Sequence, residues 1–206
     1  MTSPKAASPI ASSKPLLVLA SESPRRLALL ARAGIVPDTV RAAGIDETVH
    51  RKELPRPYAG RLAAAKARAA AAGWDGAPGA LFLAADTVVS VGRRILPKAE
   101  SEEQVRDCLL LLSGRAHRVT TAVAILGGDG KLRTRTVETR LIFDRLDSSA
   151  IERYVQCGEG LGKAGGYAVQ GRAEIFVRQL TGSYSNVVGL PLRETISALR
   201  AGGYPC

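Results

Sequence analysis

Residues 16–20 form a short unbroken apolar run, the pattern of a buried strand, which stops at Ser21-Glu22-Ser23-Pro24. Leu27, Leu30 and Ala31 then recur at helical spacing, with Ser23 placed as N-cap and Pro24 as the first helical residue. Pro55 and Pro57 introduce an alanine-rich helix that ends near Gly73. Its predicted apolar stripe is Tyr58, Leu62, Ala65, Ala69 and Ala72, with Lys66 on the flank. Leu81–Val91 is almost wholly apolar around Asp86 and Thr87 and reads as a central strand. A helix over Glu102–Leu112 places Val105, Cys108, Leu109 and Leu112 on one face. Two long strand-like runs, 117–126 and Leu132–Phe143, flank Gly127-Gly128-Asp129-Gly130, a hairpin signal. Residues 147–156 read as a helix and 174–180 as a strand, and Pro191 opens a terminal helix. Strands that alternate with helices and then meet a hairpin predict an α/β fold with a mixed sheet.

Composition narrows the class. The chain has 206 residues, about one domain, here taken as 15–206 behind a Ser, Pro and Ala-rich tail over 1–14. The tail has no periodicity, is expected to be disordered, and lacks the apolar stretch of a secretory signal. With 46% hydrophobic and 23% charged residues the composition is globular. No apolar run approaches the ~20 residues that span a bilayer. Cys108, Cys157 and Cys206 are odd in number and far apart, which fits a reducing compartment and a cytoplasmic protein. Only His50 and His117 are present, which excludes His-rich zinc sites.

Charge changes the picture more. The formal net charge is +10, with 22 Arg against 7 Lys, so the protein attracts anions. Nucleic acid, an acidic membrane surface and nucleotide phosphates all satisfy that field, as does a merely basic solvated surface. Aromatic content is only 4%, too little for base-stacking platforms, and no nucleic-acid reading motif accompanies the basicity.

Several segments could carry chemistry. In Ser21-Glu22-Ser23-Pro24-Arg25-Arg26, two arginines sit in the first turn of a helix, against its dipole. Free helix amides, a hydroxyl and two guanidiniums make a phosphate site, unless this is an ordinary cap followed by solvated arginines. Asp86 is a carboxylate in an apolar run, costly to bury unpaired, and suited to a divalent cation or to activating water. A strand-end bond to a loop is its bland reading. Asp46 and Glu47 could add oxygen ligands or belong to a simple turn. Residues 158–167 tempt toward a P-loop, but Cys157 stands at the first glycine position and Ala164 at the Ser/Thr position. What is left is a glycine-rich turn approaching a ligand, with Lys163 against phosphate, or else a flexible loop. Lys66 and Lys98 could contact phosphate or be solvated, and His117 is assigned no chemistry. The turn from Gly182 to Asn186 serves a ligand or caps a helix.

Taken together, the segments resemble the Maf-like nucleotide pyrophosphatases. The resemblance rests on Ala20-Ser21-Glu22-Ser23-Pro24-Arg25-Arg26, Ala85-Asp86-Thr87, Ser113-Gly114-Arg115-Ala116-His117, the run from Lys163 to Gly171, and Gly182-Ser183-Tyr184-Ser185-Asn186 with Gly189-Leu190-Pro191-Leu192. It implies a twisted mixed β-sheet with flanking helices in two lobes around a central cleft. It also implies metal-dependent cleavage of a nucleoside triphosphate to monophosphate and pyrophosphate. On that resemblance Asp86 is the proton acceptor. Ser21, Arg25, Arg26, Lys66, Lys98 and Lys163 surround the phosphates, and Glu47 with Asp86 would hold Mg2+ or Mn2+. Arg25, Thr87 and Gln170 match the branch that acts on dTTP and UTP. The chain departs from the family pattern at Glu22, Ala99 and Gly162. Expected partners are the nucleotide and, in a homodimer, a second copy; neither nucleic acid nor membrane is expected. The competing class is a non-catalytic nucleic-acid-binding or cell-division regulatory protein on the same fold.

Overall fold

The computed structural model describes residues 14–206, so all of the expected tail but Lys14 lies outside the described residues. The strands are β1 (Leu17–Leu19), β2 (Thr39–Val40), β3 (Leu81–Val91), β4 (Arg94–Leu96), β5 (Ala116–Leu126), β6 (Leu132–Phe143) and β7 (Val177–Thr181). The helices are α1 (Pro24–Arg32), α2 (Pro55–Ala72), α3 (Glu102–Leu112), α4 (Ser148–Gln156), α5 (Tyr184–Val188) and α6 (Leu192–Ala201). One seven-stranded sheet runs β2-β1-β3-β5-β6-β7, with β4 added to β3. β1 is parallel to β2 and β3; every other pairing is antiparallel, so the sheet is mixed. Among the described residues no helix is long and apolar enough to cross a membrane.

Alternation along β3 sorts the core into two layers. Leu81, Leu83, Ala85 and Val89 join the larger apolar cluster with Leu29 and Leu30 of α1, Leu109 of α3 and Leu199 of α6. Phe82, Ala84 and Val88 face the other way, onto Ala59, Ala63, Ala67 and Ala70 of α2. By the same alternation Asp86 faces α2 and Thr87 faces the larger cluster.

The stripe predicted for α2 is displaced. Its buried residues are Ala59, Leu62, Ala63, Lys66, Ala67 and Ala70, whereas Ala72 is exposed and Tyr58, Ala65 and Ala69 are only half-buried. An alanine-rich helix is nearly as apolar on every face, so its own pattern selects none. The small residues of β3 and β5 choose the face that approaches closest, and that face carries Lys66 into the interior. The predicted strand over 174–180 is also corrected: Arg172–Phe176 is a 3-10 turn and only Val177 onward pairs with β6. The hairpin between β5 and β6 forms at Gly127–Gly130, where Gly130 takes φ 72° and its amide bonds to Gly127 O at 2.9 Å.

Candidate active site

One edge of β3 opens the site. Leu81–Leu83 pair with β1 and Val89–Val91 with β4, so residues 84–88 have no strand neighbour on that side. The ends of strands that part in this way are where α/β proteins place ligands. Asp86 and Thr87 lie in the gap and line a cavity of about 410 Å3. Ser21, Arg25, Arg26, Glu47, Lys66, Lys98, Lys163 and Gln170 line it as well, brought in from five separate stretches of chain.

Its acidic centre is built around one ammonium. Lys66 Nζ lies 2.6 Å from Asp86 Oδ1 and 2.6 Å from Glu47 Oε1. Asp86 is 4% exposed and Lys66 9%, so each charge needs the other. Lys98 Nζ bonds to Glu47 Oε2 at 2.5 Å on the more open side. Burial pushes the Glu47 carboxyl up, but the bonds from Lys66 and Lys98 overcome it and hold it at about 2. Lys66 is therefore a buried, paired lysine, whereas Lys98 is paired with Glu47 but exposed.

The same cavity has a basic rim. Ser23 occupies the N-cap of α1 but makes no side-chain capping bond, and the first turn holds no acid. Ser23 thus holds the expected N-cap position without a side-chain bond, and its amide bonds to Ser21 Oγ at 3.3 Å. Arg26 Nη1 bonds to Ser21 Oγ at 2.8 Å and its Nε to Gly189 O at 3.0 Å, which turns the guanidinium along the cleft wall. Burial lowers Arg25 and Arg26 below the ordinary arginine range, and burial followed by the nearby Arg25 charge lowers Lys163. Cations crowded and desolvated in this way are relieved by a bound anion.

The glycine-rich segment is pinned rather than flexible. Gly162 N bonds to Ala99 O at 2.7 Å, Ala99 N to Lys163 O at 3.0 Å and Gly165 N to Pro97 O at 2.9 Å. Gly165 takes φ +69°, and a Cβ there would lie 2.8 Å from Val89 Cγ1. That glycine lets the backbone close on the core rather than on a ligand, and the segment leaves Lys163 half-buried at the cleft and Gln170 exposed beside it. The polar turn before α5 caps that helix: Ser183 Oγ accepts from Asn186 N at 3.2 Å. His117 is a core residue, 2% exposed, with Nε2 2.8 Å from Tyr167 Oη.

Sequence reasoning missed the groups that hold the loop carrying Glu47. Tyr58 Oη donates to Glu47 O at 2.7 Å, while Arg61 bonds to Thr48 O at 2.9 Å and to both Glu53 oxygens at 2.8 Å. Tyr58 and Arg61 lie one turn apart on α2, but nothing local to either signals a loop partner. Thr121, behind Thr87, was missed for the same reason: Thr87 and Thr121 are cross-strand partners with Oγ1 atoms 3.0 Å apart.

Known proteins resemble this chain in sequence over nearly its whole length. The dTTP/UTP pyrophosphatase of Brucella abortus (strain 2308) is 58% identical over 192 residues, 92% of each chain. That of Rhodopseudomonas palustris (strain HaA2) is 57% identical over 195 residues, 93% of this chain and 94% of the relative. A solved nucleoside-triphosphatase / dITP/XTP pyrophosphatase from Mycobacterium abscessus covers 91% of this chain and 94% of its own at TM-score 0.44 and 17% identity, too distant to carry an argument. The family model described as Maf-like protein matches residues 16–202, from the strand that borders the cleft to the last helix. By that match and by relatives at this identity, the chain belongs to the Maf-like protein family.

Proposed function

We propose that the protein hydrolyses dTTP and UTP between the α and β phosphates, releasing the nucleoside monophosphate and pyrophosphate. The observation that carries this reading is that a carboxylate–ammonium–carboxylate centre around the buried Lys66 and a desolvated cationic rim line one cleft. The names of the Brucella and Rhodopseudomonas relatives support the substrate.

The chain's own groups divide the work. The Arg25, Arg26 and Lys163 side chains take the phosphate charge, a set of donors already in place as the leaving group gains charge. Asp86, oriented by Lys66, accepts a proton from the water that attacks the α phosphorus. The new P–O bond forms as the bond to the bridging oxygen breaks, and pyrophosphate carries away the electron pair. No residue needs to be acylated or phosphorylated.

A divalent cation fits this donor set. Among the described residues no group of three or more His, Cys, Asp or Glu could cage a metal. Asp86 and Glu47 nevertheless place carboxylate oxygens on either side of Lys66 Nζ, and Mg2+ is commonly held by one or two carboxylates together with substrate phosphates. Glu47 and Asp86 would hold Mg2+ or Mn2+, which when bound neutralises charge on the phosphates.

Base choice falls to Gln170, whose amide carries both a donor and an acceptor. A 4-oxo pyrimidine offers the complementary pair, an acceptor at position 4 and a donor at N3. We also place the enzyme in the cytoplasm as a homodimer, for which sedimentation is the direct measurement. The deciding experiment is a panel of nucleoside triphosphates with Mg2+ or Mn2+, assayed for both products. Pyrophosphate and monophosphate from dTTP and UTP are expected; orthophosphate and diphosphate would overturn the site of attack.

A further inference from the structure

The hydroxyl of Thr87 has a fixed direction, and the residue that sets it stands behind the cleft. Thr87 is half-buried and lines the cavity, whereas Thr121, directly opposite on β5, is fully buried. A threonine hydroxyl has one proton to give and two lone pairs. Thr121 Oγ1 lies 2.9 Å from the backbone oxygen of Asn186, a carbonyl that can only accept.

That carbonyl has a reason to need Thr121. α5 stops at Gly189, which takes φ +129°, and the Leu190 amide bonds to Ser185 O at 2.9 Å instead of continuing the helix to Asn186. A buried carbonyl without a donor is costly, so the Thr121 proton goes there. Asn186 cannot turn away, because its Nδ2 donates to Val119 O at 3.0 Å and to Thr139 Oγ1 at 2.9 Å. The 3.0 Å contact between Thr87 Oγ1 and Thr121 Oγ1 then has only one possible donor, Thr87. With its proton directed into the sheet, Thr87 offers the cleft lone pairs alone.

We propose that Thr121 is a specificity-determining positioning residue, which makes Thr87 an obligate acceptor that shares the imino N3–H of a uracil or thymine ring with the Gln170 amide oxygen. The inference rests on the pyrimidine reading of the cleft given above and adds what Gln170 cannot supply. An amide can be flipped to suit cytosine, but Thr87 cannot reverse while Thr121 is committed to Asn186. Cytosine brings a bare N3 lone pair, and two facing acceptors repel while both lose water. A site of this kind rejects the wrong base strongly.

The test is binding of uncleavable α,β-imido analogues of UTP, dUTP and CTP by calorimetry, to the wild type, Thr121→Val and Thr121→Ser. Binding is read without turnover, so a failed pyrophosphatase assay and a failed relay give different results. Thr121→Val frees the Thr87 proton to turn into the cleft, and the uridine-over-cytidine preference should fall about tenfold or more. Thr121→Ser should restore it. Should Thr121→Val fail to fold, Thr87→Val leaves the Asn186 carbonyl satisfied and should lose the same preference. Equal weakening of uridine and cytidine analogues, or an unchanged ratio, overturns the proposal. So does a change confined to the ratio of the UTP and dUTP analogues, which would assign the donor to the sugar.

Discussion

Asp86→Asn removes a charge and a proton acceptor while leaving the shape of the site in place. The amide oxygen can still accept from Lys66 Nζ, which now sits 2.6 Å from Asp86 Oδ1. Lys66 also keeps Glu47 Oε1 at 2.6 Å, so the buried ammonium is not stranded. The stability lost is then the difference between a charge-assisted and a neutral hydrogen bond, about 1–2 kcal/mol. Lys66→Met is the opposite perturbation. It leaves Asp86, 4% exposed, and Glu47 converging with no cation between them, and breaking a buried pair in this way costs about 3–5 kcal/mol. Turnover should respond to Asp86→Asn far more than stability does, by about 10²–10⁴-fold in kcat, because an amide cannot take a proton from water. Urea unfolding of both variants and kcat for dTTP against pH give the comparison. A variant with near-normal turnover and an unchanged pH profile would remove Asp86 from the chemistry. Asp86→Asn and Lys66→Met destabilising equally would refute the pairing argument.

Arg25→Ala should raise KM for triphosphate while the empty protein melts no lower, since Arg25 stands against the α1 dipole and is desolvated there; a lower Tm with unchanged kinetics would make Arg25 structural. Gln170→Glu should lower kcat/KM for dTTP and UTP more than for CTP, because an ionised carboxylate accepts from N3 but cannot donate to the 4-oxo group; equal losses would mean Gln170 supports its loop. Burial holds the His117 imidazole at about 4 instead of 6.5, so between those values the unfolded chain binds the proton more readily and stability falls as pH drops from 6.5 to 4. The full shift corresponds to about 3 kcal/mol, and His117→Gln should flatten that part of the curve of unfolding free energy against pH; superimposable curves would place the titration elsewhere.

Local physics made much of the protein legible along the chain. Ser23-Pro24 is a local helix start, and Gly127–Gly130 between two alternating runs is a local hairpin signal, and both elements form where these residues place them. Asp86 announced itself because a carboxylate in an apolar strand must find a partner, though nothing in the strand says which. The partner was a matter of packing. α2 is so uniformly small and apolar that only the alanines of β3 and β5 select its buried face, and that choice alone moves Lys66 from a flank to the space between Asp86 and Glu47. The glycines of 158–167 invited a ligand-binding reading, yet Gly165 is required by Val89, a neighbour far away in sequence. Thr121 carried no signal at all, since a threonine in a β-branched strand is ordinary until Thr87 and the Asn186 carbonyl are brought to it from 34 and 65 residues away. Propensity, capping and alternation act over a few residues and can be read from one segment. Which face is buried, and which proton goes to which oxygen, depends on surfaces that meet only when the chain is folded.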